Sequence, residues 1–197
     1  MVNTDFIGIY DNALSSSLCE DIIEWTNLQP LTKGLSMNSK GITSYDSSIK
    51  DSWDFSSRFS NQNPIDLKIF QVLNEYTPSY RESYPEIDLI DRWVVYDNYN
   101  IQKYDPGDGY YSLHCENAGG RSDIPRVLAW MIYLNTVTDK GGTYFSSYNK
   151  TLEAKEGRLV IWPAYFTHHH KGVVSKTQTK YIATGWYNFV NPDEVFE

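Results

Sequence analysis

Cysteine and basic residues are scarce in this 197-residue chain, and each shortage excludes a class of protein. The two cysteines, Cys19 and Cys115, are too few for a disulfide framework or a four-thiolate metal site. Lysine and arginine number 17 against 25 acidic residues, which gives a formal net charge of -8. Such a surface repels phosphate groups, so we expect no nucleic-acid partner.

Long apolar runs are missing as well. No stretch approaches the roughly 20 apolar residues that cross a bilayer, and residues 1–10 lack the basic-then-apolar pattern of a secretory signal. We therefore expect a soluble, cytoplasmic protein without a membrane partner. The sequence contains no pattern that predicts an oligomeric state.

The length suits one domain over residues 1–197, and hydrophobic residues (41%) supply material for a core. One helix is predicted within Asn12–Gln29 after serine N-caps, and a second begins at Pro64 and should end before Pro78. Between them, Leu31–Asn63 is rich in Ser, Asn, Asp and Gly, which predicts a long loop that could include short strands.

From residue 89 onward, runs of Val, Ile, Tyr and Trp alternate with turn residues and predict many short strands. The predicted strands are Trp93–Asp97, Ile101–Tyr104, Tyr110–Cys115, Arg126–Leu134, Thr143–Ser146, Arg158–Trp162, Thr167–His170 and Tyr181–Phe189. This spacing favours a sandwich or barrel. We therefore predict a mainly β fold with flanking α-helices, in which helical and loop residues 1–88 support a β core of residues 89–190.

The histidines occupy two places, at His114 and in the run His168–His170. One residue separates His114 from Glu116, so on a strand both side chains leave from the same face. A distant imidazole would complete two histidines and one carboxylate, a ligand set that holds Fe(II) with open positions. The same set can hold zinc for hydrolysis, and a His-x-Glu pair also arises by chance. Residue types alone leave iron, zinc and no metal open.

The segments around these histidines resemble the prolyl 4-hydroxylase-like branch of the 2-oxoglutarate- and Fe(II)-dependent oxygenases. The similar segments follow in the family's order and are Gln102–Gly107 before His114, Tyr133–Asn135, Gly141–Phe145, Glu156–Pro163 and Lys180–Trp186. The first helix, with Cys19–Asp21, is similar to the family's opening. The resemblance is weakest between Leu31 and Ile90, and Glu116 stands where the family normally has aspartate.

The resemblance implies a double-stranded β-helix, the jelly-roll or cupin-like core of that family. It also implies that His114, Glu116 and His170 are the catalytic ligands of Fe(II), with 2-oxoglutarate and O2 as cosubstrates and ascorbate as a candidate reductant. The family has a basic residue about ten positions after its distal histidine, and Lys180 has this spacing from His170. His168 is the alternative ligand, and His169 should face away.

The resemblance assigns Lys180 to the distal carboxylate of 2-oxoglutarate, because a buried charge needs such a partner. Tyr104 and Tyr133 align with tyrosines that line or hydrogen-bond this cosubstrate, although each could equally be a core residue. Trp186 is expected at the border of the substrate space. Arg126 and Arg158 are further candidate cations, to which the sequence assigns no role.

The resemblance further implies a dioxygenase that hydroxylates a C–H bond, with a prolyl residue in a peptide or protein as the first choice. The 16 tyrosines and 6 tryptophans could form an aromatic groove for an extended peptide, with Leu31–Asn63 as a lid. One alternative is a hydroxylase of a free amino acid or another small molecule, which favours a closed, polar pocket. The other is a non-catalytic β-sandwich binding module.

Overall fold

The computed structural model describes residues 5–37 and 43–190. In these ranges the chain forms two α-helices, α1 (Ser16–Asn27) and α2 (Pro64–Ser83), and short 3-10 turns at Pro85–Leu89, Ser146–Tyr148 and Phe166–His168. The strands in chain order are β1 (Gly8–Tyr10), β2 (Thr32–Lys33), β3 (Ser36–Met37), β4 (Thr43–Ser44), β5 (Lys50–Asp51), β6 (Trp53–Arg58), β7 (Trp93–Tyr104), β8 (Gly109–Tyr110), β9 (Arg126–Tyr133), β10 (Thr143–Phe145), β11 (Lys150–Leu152), β12 (Leu159–Pro163), β13 (His170–Gly172) and β14 (Lys180–Phe189).

A seven-stranded antiparallel sheet, called the main sheet below, has the order β1-β12-β9-β14-β7-β6-β2. A smaller sheet has the order β11-β10-β13, and β5 pairs with β8. An isolated bridge joins His114, after β8, to His170 at the start of β13. The mainly β fold with flanking helices is therefore confirmed. Neither helix in the described ranges is long and apolar enough to span a membrane.

The main sheet has two different faces because side chains alternate along each strand. On the helix face, Trp130 and Ile132 of β9 join the apolar cluster that includes residues of α1 and α2. On the other face, Met131 and Tyr133 of β9 belong to a second cluster, and Met131 lines a cavity. We call this second surface the cavity face.

Both helices begin where the sequence predicts. The Ser15 side chain caps α1 by accepting a hydrogen bond from the Leu18 amide, and Asn63 caps α2, in which Pro64 is the first residue.

The predicted end of α2 before Pro78 is wrong, since the helix continues to Ser83. Pro78 removes one helical hydrogen bond, but the next turn is held by tertiary packing. Tyr80 is buried in the core, and its hydroxyl donates to the Phe6 carbonyl at 2.9 Å.

The segment Leu31–Asn63 is not a loop throughout, and the short strands that the prediction allowed are present as β2 to β6. Strand β6 pairs with β7 over six residues and extends the main sheet, and β2 pairs with β6 beyond it. Composition missed β6 because polar Asp54 and Ser56 face a cavity instead of an apolar core. With β1 at the opposite edge, the first 88 residues contribute strands to the sheet as well as helices. Residues 38–42 of the predicted loop lie outside the described residues.

Other strand predictions also differ from the structure. The two strands expected over residues 93–104 form the single strand β7, and β14 begins one residue early, at Lys180. The strand expected over Tyr110–Cys115 is limited to β8 and the single bridge at His114. Of Thr167–His170, only His170 is in a strand, because Phe166–His168 form a 3-10 turn.

Candidate active site

Two histidines and one glutamate converge at the wall of a cavity beside the main sheet. Candidate ligand atoms of His114, Glu116 and His170 all lie within 4.8 Å of one another. Glu116 Oε1 lies 3.3 Å from His170 Nε2 and 3.7 Å from His114 Nε2. The two imidazole nitrogens and the carboxylate oxygen would lie on one side of a bound cation. The coordination positions on its other side would stay free, as a facial iron site requires.

The backbone brings these side chains together by a route other than the predicted strand. His114 and His170 exchange two backbone hydrogen bonds, of 3.0 and 2.8 Å, which place their rings side by side. Glu116 lies in a bend two residues later, and the next amide, of Asn117, donates to the Ala164 carbonyl at 2.8 Å. The isolated bridge and this bend together place the three side chains at one point.

Both candidate histidine ligands are oriented through their other ring nitrogen. His114 Nδ1 lies 3.0 Å from the Ser112 carbonyl, and His170 Nδ1 lies 3.0 Å from the His168 carbonyl. A carbonyl oxygen can only accept a hydrogen bond, so each Nδ1 carries the hydrogen and each Nε2 presents a lone pair. The Tyr110 ring also stacks on His114 with a centroid separation of 3.7 Å, and Trp162 packs edge-on to His170.

The other two histidines make local contacts. His168 is buried, and its Nε2 lies 2.8 Å from the Asp5 carbonyl. His169 Nδ1 lies 2.7 Å from the Phe166 carbonyl. The structure thus places His170, rather than His168 or His169, next to His114 and Glu116.

The charge states of the cluster suit a divalent cation. Burial, together with the neighbouring His170, lowers the pKa of His114 to about 3, so its ring is neutral at physiological pH. Burial would raise the pKa of Glu116, but the proximity of His170, His114 and Arg126 outweighs this effect and lowers it below the ordinary value. Neutral imidazole and ionised carboxylate are the forms that bind metal.

The carboxylate of Glu116 is also held from its far side. Trp186 Nε1 donates to Glu116 Oε2 at 2.7 Å, and Arg126 donates to the Glu116 carbonyl at 2.8 Å. The family resemblance predicted that Trp186 borders the substrate space. The sequence could not distinguish Arg126 from Arg158, and the structure shows that Arg158 pairs with Asp11 at the surface. No local pattern reveals these contacts, because Trp186 lies 70 residues from Glu116 along the chain.

The cavity has a volume of about 620 Å³, and Lys180 of β14 lies in its wall. Lys180 is buried, its ammonium lies over the Tyr104 ring at 4.6 Å from the centroid, and burial lowers its pKa to about 8. Within residues 5–37 and 43–190, no carboxylate forms a salt bridge with it. A buried cation without an acidic partner fits an incoming carboxylate such as that of 2-oxoglutarate.

The two predicted tyrosines take different positions. Tyr104 lines the cavity beneath Lys180, and its hydroxyl donates to Gln102 Oε1 at 2.7 Å. Tyr133 is fully buried and hydrogen-bonds Thr143 at 2.7 Å, and of this pair only Thr143 lines the cavity. Tyr133 thus meets the cavity only through Thr143.

The part of the cavity wall formed by β6 and β7 is polar. Asp54 and Ser56 of β6 and Asn100 of β7 line it, together with Lys50. Lys50 is buried and pairs with Asp54 at 2.5 Å, and Ser52 donates to the same carboxylate. Sequence reasoning missed these wall residues, although polar Asp54 and Ser56 alternate with aromatic Trp53 and Phe55 as in a strand.

Comparison with known proteins gives one family and one fold. Residues 99–188 match the model of the 2OG-Fe(II) oxygenase superfamily, and no curated protein matches the chain. The structure is similar to viral collagen prolyl hydroxylase from Paramecium bursaria Chlorella virus-1 in complex with 2-oxoglutarate, with 18% identity and a TM-score of 0.69 over 96% of this chain and 99% of that chain. It is also similar to a prolyl-4-hydroxylase from Pseudomonas putida, with 14% identity and a TM-score of 0.69 over 95% of each chain.

A third similar structure is a prolyl hydroxylase from Trichoplax adhaerens in complex with a hypoxia inducible factor peptide. The identity is 15% and the TM-score 0.68, over 95% of this chain and 85% of that chain. These similarities confirm the predicted double-stranded β-helix. The superfamily uses Fe(II), 2-oxoglutarate and O2, and the segment that matches its model contains His114, Glu116, His170 and Lys180. Residues 99–188 are therefore similar to the 2OG-Fe(II) oxygenase superfamily, and the chain has the same fold as these prolyl hydroxylases.

Proposed function

We propose that this protein is a 2-oxoglutarate- and Fe(II)-dependent dioxygenase that hydroxylates a prolyl residue in a peptide or protein substrate. The observation that carries the proposal is one cavity that contains both the cluster of His114, Glu116 and His170 and the buried ammonium of Lys180. The fold shared with three prolyl hydroxylases supports the choice of prolyl substrate.

The three clustered side chains would hold Fe(II), and bound iron would supply the activation of O2. Lys180 would pair with the distal carboxylate of 2-oxoglutarate, over the ring of Tyr104. In the overall reaction one oxygen atom enters the substrate C–H bond as a hydroxyl. The other oxygen atom enters succinate, while 2-oxoglutarate loses CO2.

The protein's own contribution is orientation and exclusion of water. His114 and His170 are held through their Nδ1 hydrogen bonds and by the rings of Tyr110 and Trp162. The site therefore has fixed ligand directions before any cofactor enters, which reduces the entropic cost of binding.

The polar wall of the cavity supports a substrate with hydrogen-bonding groups along its length. Ser56 and Asn100 offer a hydroxyl and an amide on the cavity face of adjacent strands. The main chain of an extended peptide presents amides and carbonyls that match such groups. We propose that residues 1–88 support the oxygenase core of 89–190, with β6 as the substrate wall and residues 31–37 and 43–52 covering the cavity mouth.

The same wall favours a second candidate, a hydroxylase of a free amino acid or another small polar molecule. The aromatic side chains that line the cavity lie beside the cluster or beside Lys180, as Tyr104, Tyr110, Trp162 and Trp186 do. The wall near β6 instead carries the buried pair Lys50–Asp54. This arrangement is closer to a polar pocket than to an aromatic peptide groove.

The test is substrate-dependent formation of succinate by the purified protein with Fe(II), 2-oxoglutarate and O2. Proline-containing peptides are compared with the same peptides carrying alanine for proline, and with free proline and other amino acids. Mass spectrometry should find one added oxygen atom in the proline peptides alone. Turnover confined to free amino acids would replace the prolyl proposal with the second candidate.

The His170→Ala variant serves as the inactive control, and His169→Ala is its matched neighbour. Succinate formation that is the same in His170→Ala as in the wild type would contradict the proposed site.

A further inference from the structure

We propose that Trp186 and Arg126 are positioning residues that fix the carboxylate of Glu116 for metal binding. The inference rests on the proposed role of Glu116 as a ligand. It gives the indole of Trp186 a role different from the substrate border that the sequence predicted.

The first observation is how the two oxygens of Glu116 are used. Oε2 accepts the indole N–H of Trp186 at 2.7 Å, while Oε1 faces His170 Nε2 at 3.3 Å and His114 Nε2 at 3.7 Å. One oxygen is therefore anchored to the protein, and the other points to the place where a cation would lie. This division favours binding of the cation through a single carboxylate oxygen.

The second observation is that Arg126 contacts both Trp186 and Glu116. Its guanidinium lies 3.9 Å from the centre of the Trp186 ring, and its Nη1 donates to the Glu116 carbonyl at 2.8 Å. Asp123, which is buried, pairs with the same nitrogen at 2.9 Å. Asp123, Arg126, Trp186 and Glu116 thus form one chain of contacts that ends at the carboxylate.

The third observation is the local backbone at Trp186. The register between β14 and β7 shifts between Gly185 and Tyr187, so Trp186 has no partner on β7. Such a bulge changes the direction of a side chain at a functional site. A side chain at Gly185 would also meet the Trp130 ring at 2.7 Å, so the strand can take this path only with glycine there.

A glutamate ligand needs this support more than an aspartate would. Glutamate has one more rotatable bond, and each free rotor must be ordered before the ligand can bind metal. The hydrogen bond from Trp186 fixes the end of the side chain, and the stacked Arg126 fixes the indole in turn. Trp186 and Arg126, which we call the clamp, therefore compensate for the extra rotatable bond of Glu116.

The test is a double-mutant cycle on Mn(II) affinity, measured by isothermal titration calorimetry with Trp186→Phe, Glu116→Asp and the double variant. Phenylalanine removes the N–H donor but retains a ring for Arg126. We expect Trp186→Phe to weaken Mn(II) binding by about 10- to 100-fold, the usual effect of removing a partner of a metal ligand. Glu116→Asp should weaken binding in the wild-type background and add little when Trp186 is already replaced.

The matched control is Trp93→Phe, whose indole N–H donates to the Ile87 carbonyl at 3.4 Å, away from the cavity. It should leave Mn(II) affinity unchanged, while the melting temperature of the metal-free protein should be similar for both tryptophan variants. Arg126→Lys, which keeps the charge but loses the planar guanidinium, should weaken Mn(II) binding by a smaller factor than Trp186→Phe.

Wild-type Mn(II) affinity in Trp186→Phe, or simple additivity with Glu116→Asp, would overturn the clamp and leave the proposed function standing. Failure of the wild-type protein itself to bind Mn(II) would overturn the clamp and the proposed function together.

Discussion

The two faces of strand β14 carry different kinds of side chain and have different surroundings. Ala183 and Tyr187 point to the helix face and pack among apolar side chains, and the Tyr187 hydroxyl is bonded to Thr77 at 2.9 Å. Lys180 and Trp186 point to the cavity face, where Lys180 is a buried cation and Trp186 donates a hydrogen bond to a candidate metal ligand. Alternation along one strand thus separates stability from binding.

The energetic consequence is opposite on the two faces. Burial of apolar area on the helix face stabilises the fold by roughly 25 cal/mol per Å². Burial of a charge that has no acidic partner among the described residues, as at Lys180, destabilises the fold until a ligand binds. Substitutions of Lys180 or Trp186 should therefore change binding with little loss of stability, and substitutions of apolar residues on the helix face should do the reverse.

The largest expected effect is on metal binding. His170→Ala removes one of three ligands that lie within 4.8 Å of each other, so Mn(II) binding measured by calorimetry should be lost. His169→Ala, next to it in sequence but bonded to the Phe166 carbonyl, should bind Mn(II) nearly as the wild type does. Equal losses in both variants would mean that the site has been misplaced.

The next largest effect is expected on the helix face. Leu73 of α2 is completely buried, so Leu73→Ala should lower the free energy of unfolding by about 2–5 kcal/mol. Urea unfolding followed by circular dichroism measures this change. The folded variant should retain wild-type Mn(II) affinity, and a parallel loss of affinity would break the separation between the faces.

A smaller effect is expected for Lys180→Met, which keeps the length of the side chain and removes its charge. Loss of a charge-assisted bond of about 1.5–3 kcal/mol should weaken binding of 2-oxoglutarate by about 10- to 100-fold in calorimetry on the Mn(II)-loaded protein. The metal-free variant should be as stable as the wild type or more stable. Lys103→Met, on β7 but paired with Asp105 instead, is the matched control.

The smallest effect concerns pH. Burial lowers the pKa of Lys180 to about 8 in the metal-free protein, so the ammonium is present below pH 8 and is lost above it. Binding of 2-oxoglutarate should weaken by up to about tenfold between pH 7 and pH 9. Over the same interval the unfolded chain keeps its proton, so stability of the metal-free protein should rise with pH. Both trends should disappear in Lys180→Met.

Local signals explain what could be predicted of the fold. Runs of Val, Ile and Tyr between glycine-rich turns predicted β9, β12 and β14, because such residues pack well on a sheet whatever the rest of the chain does. Strand β6 escaped prediction because its cavity side carries Asp54 and Ser56. The extension of α2 past Pro78 escaped because the compensating bond, from Tyr80 to Phe6, spans 74 residues.

The site residues also divide into those that the sequence predicted and those that only the structure reveals. Residue types suggested His114 and Glu116, and the family resemblance added His170 and Lys180. The strand reasoning for the first pair was wrong, since only His114 makes a bridge and Glu116 lies in a bend. The contact of Trp186 with Glu116 joins residues far apart in sequence, and only the folded sheet brings them together.

The most direct test is calorimetry of Mn(II) followed by 2-oxoglutarate on the wild-type protein. The structure predicts one Mn(II) per chain and tight binding of 2-oxoglutarate only after the metal is bound, since the cosubstrate would need both Lys180 and the metal. Binding of 2-oxoglutarate that is equally tight without metal, or Mn(II) binding that survives replacement of His114, Glu116 and His170 together, would contradict the shared site.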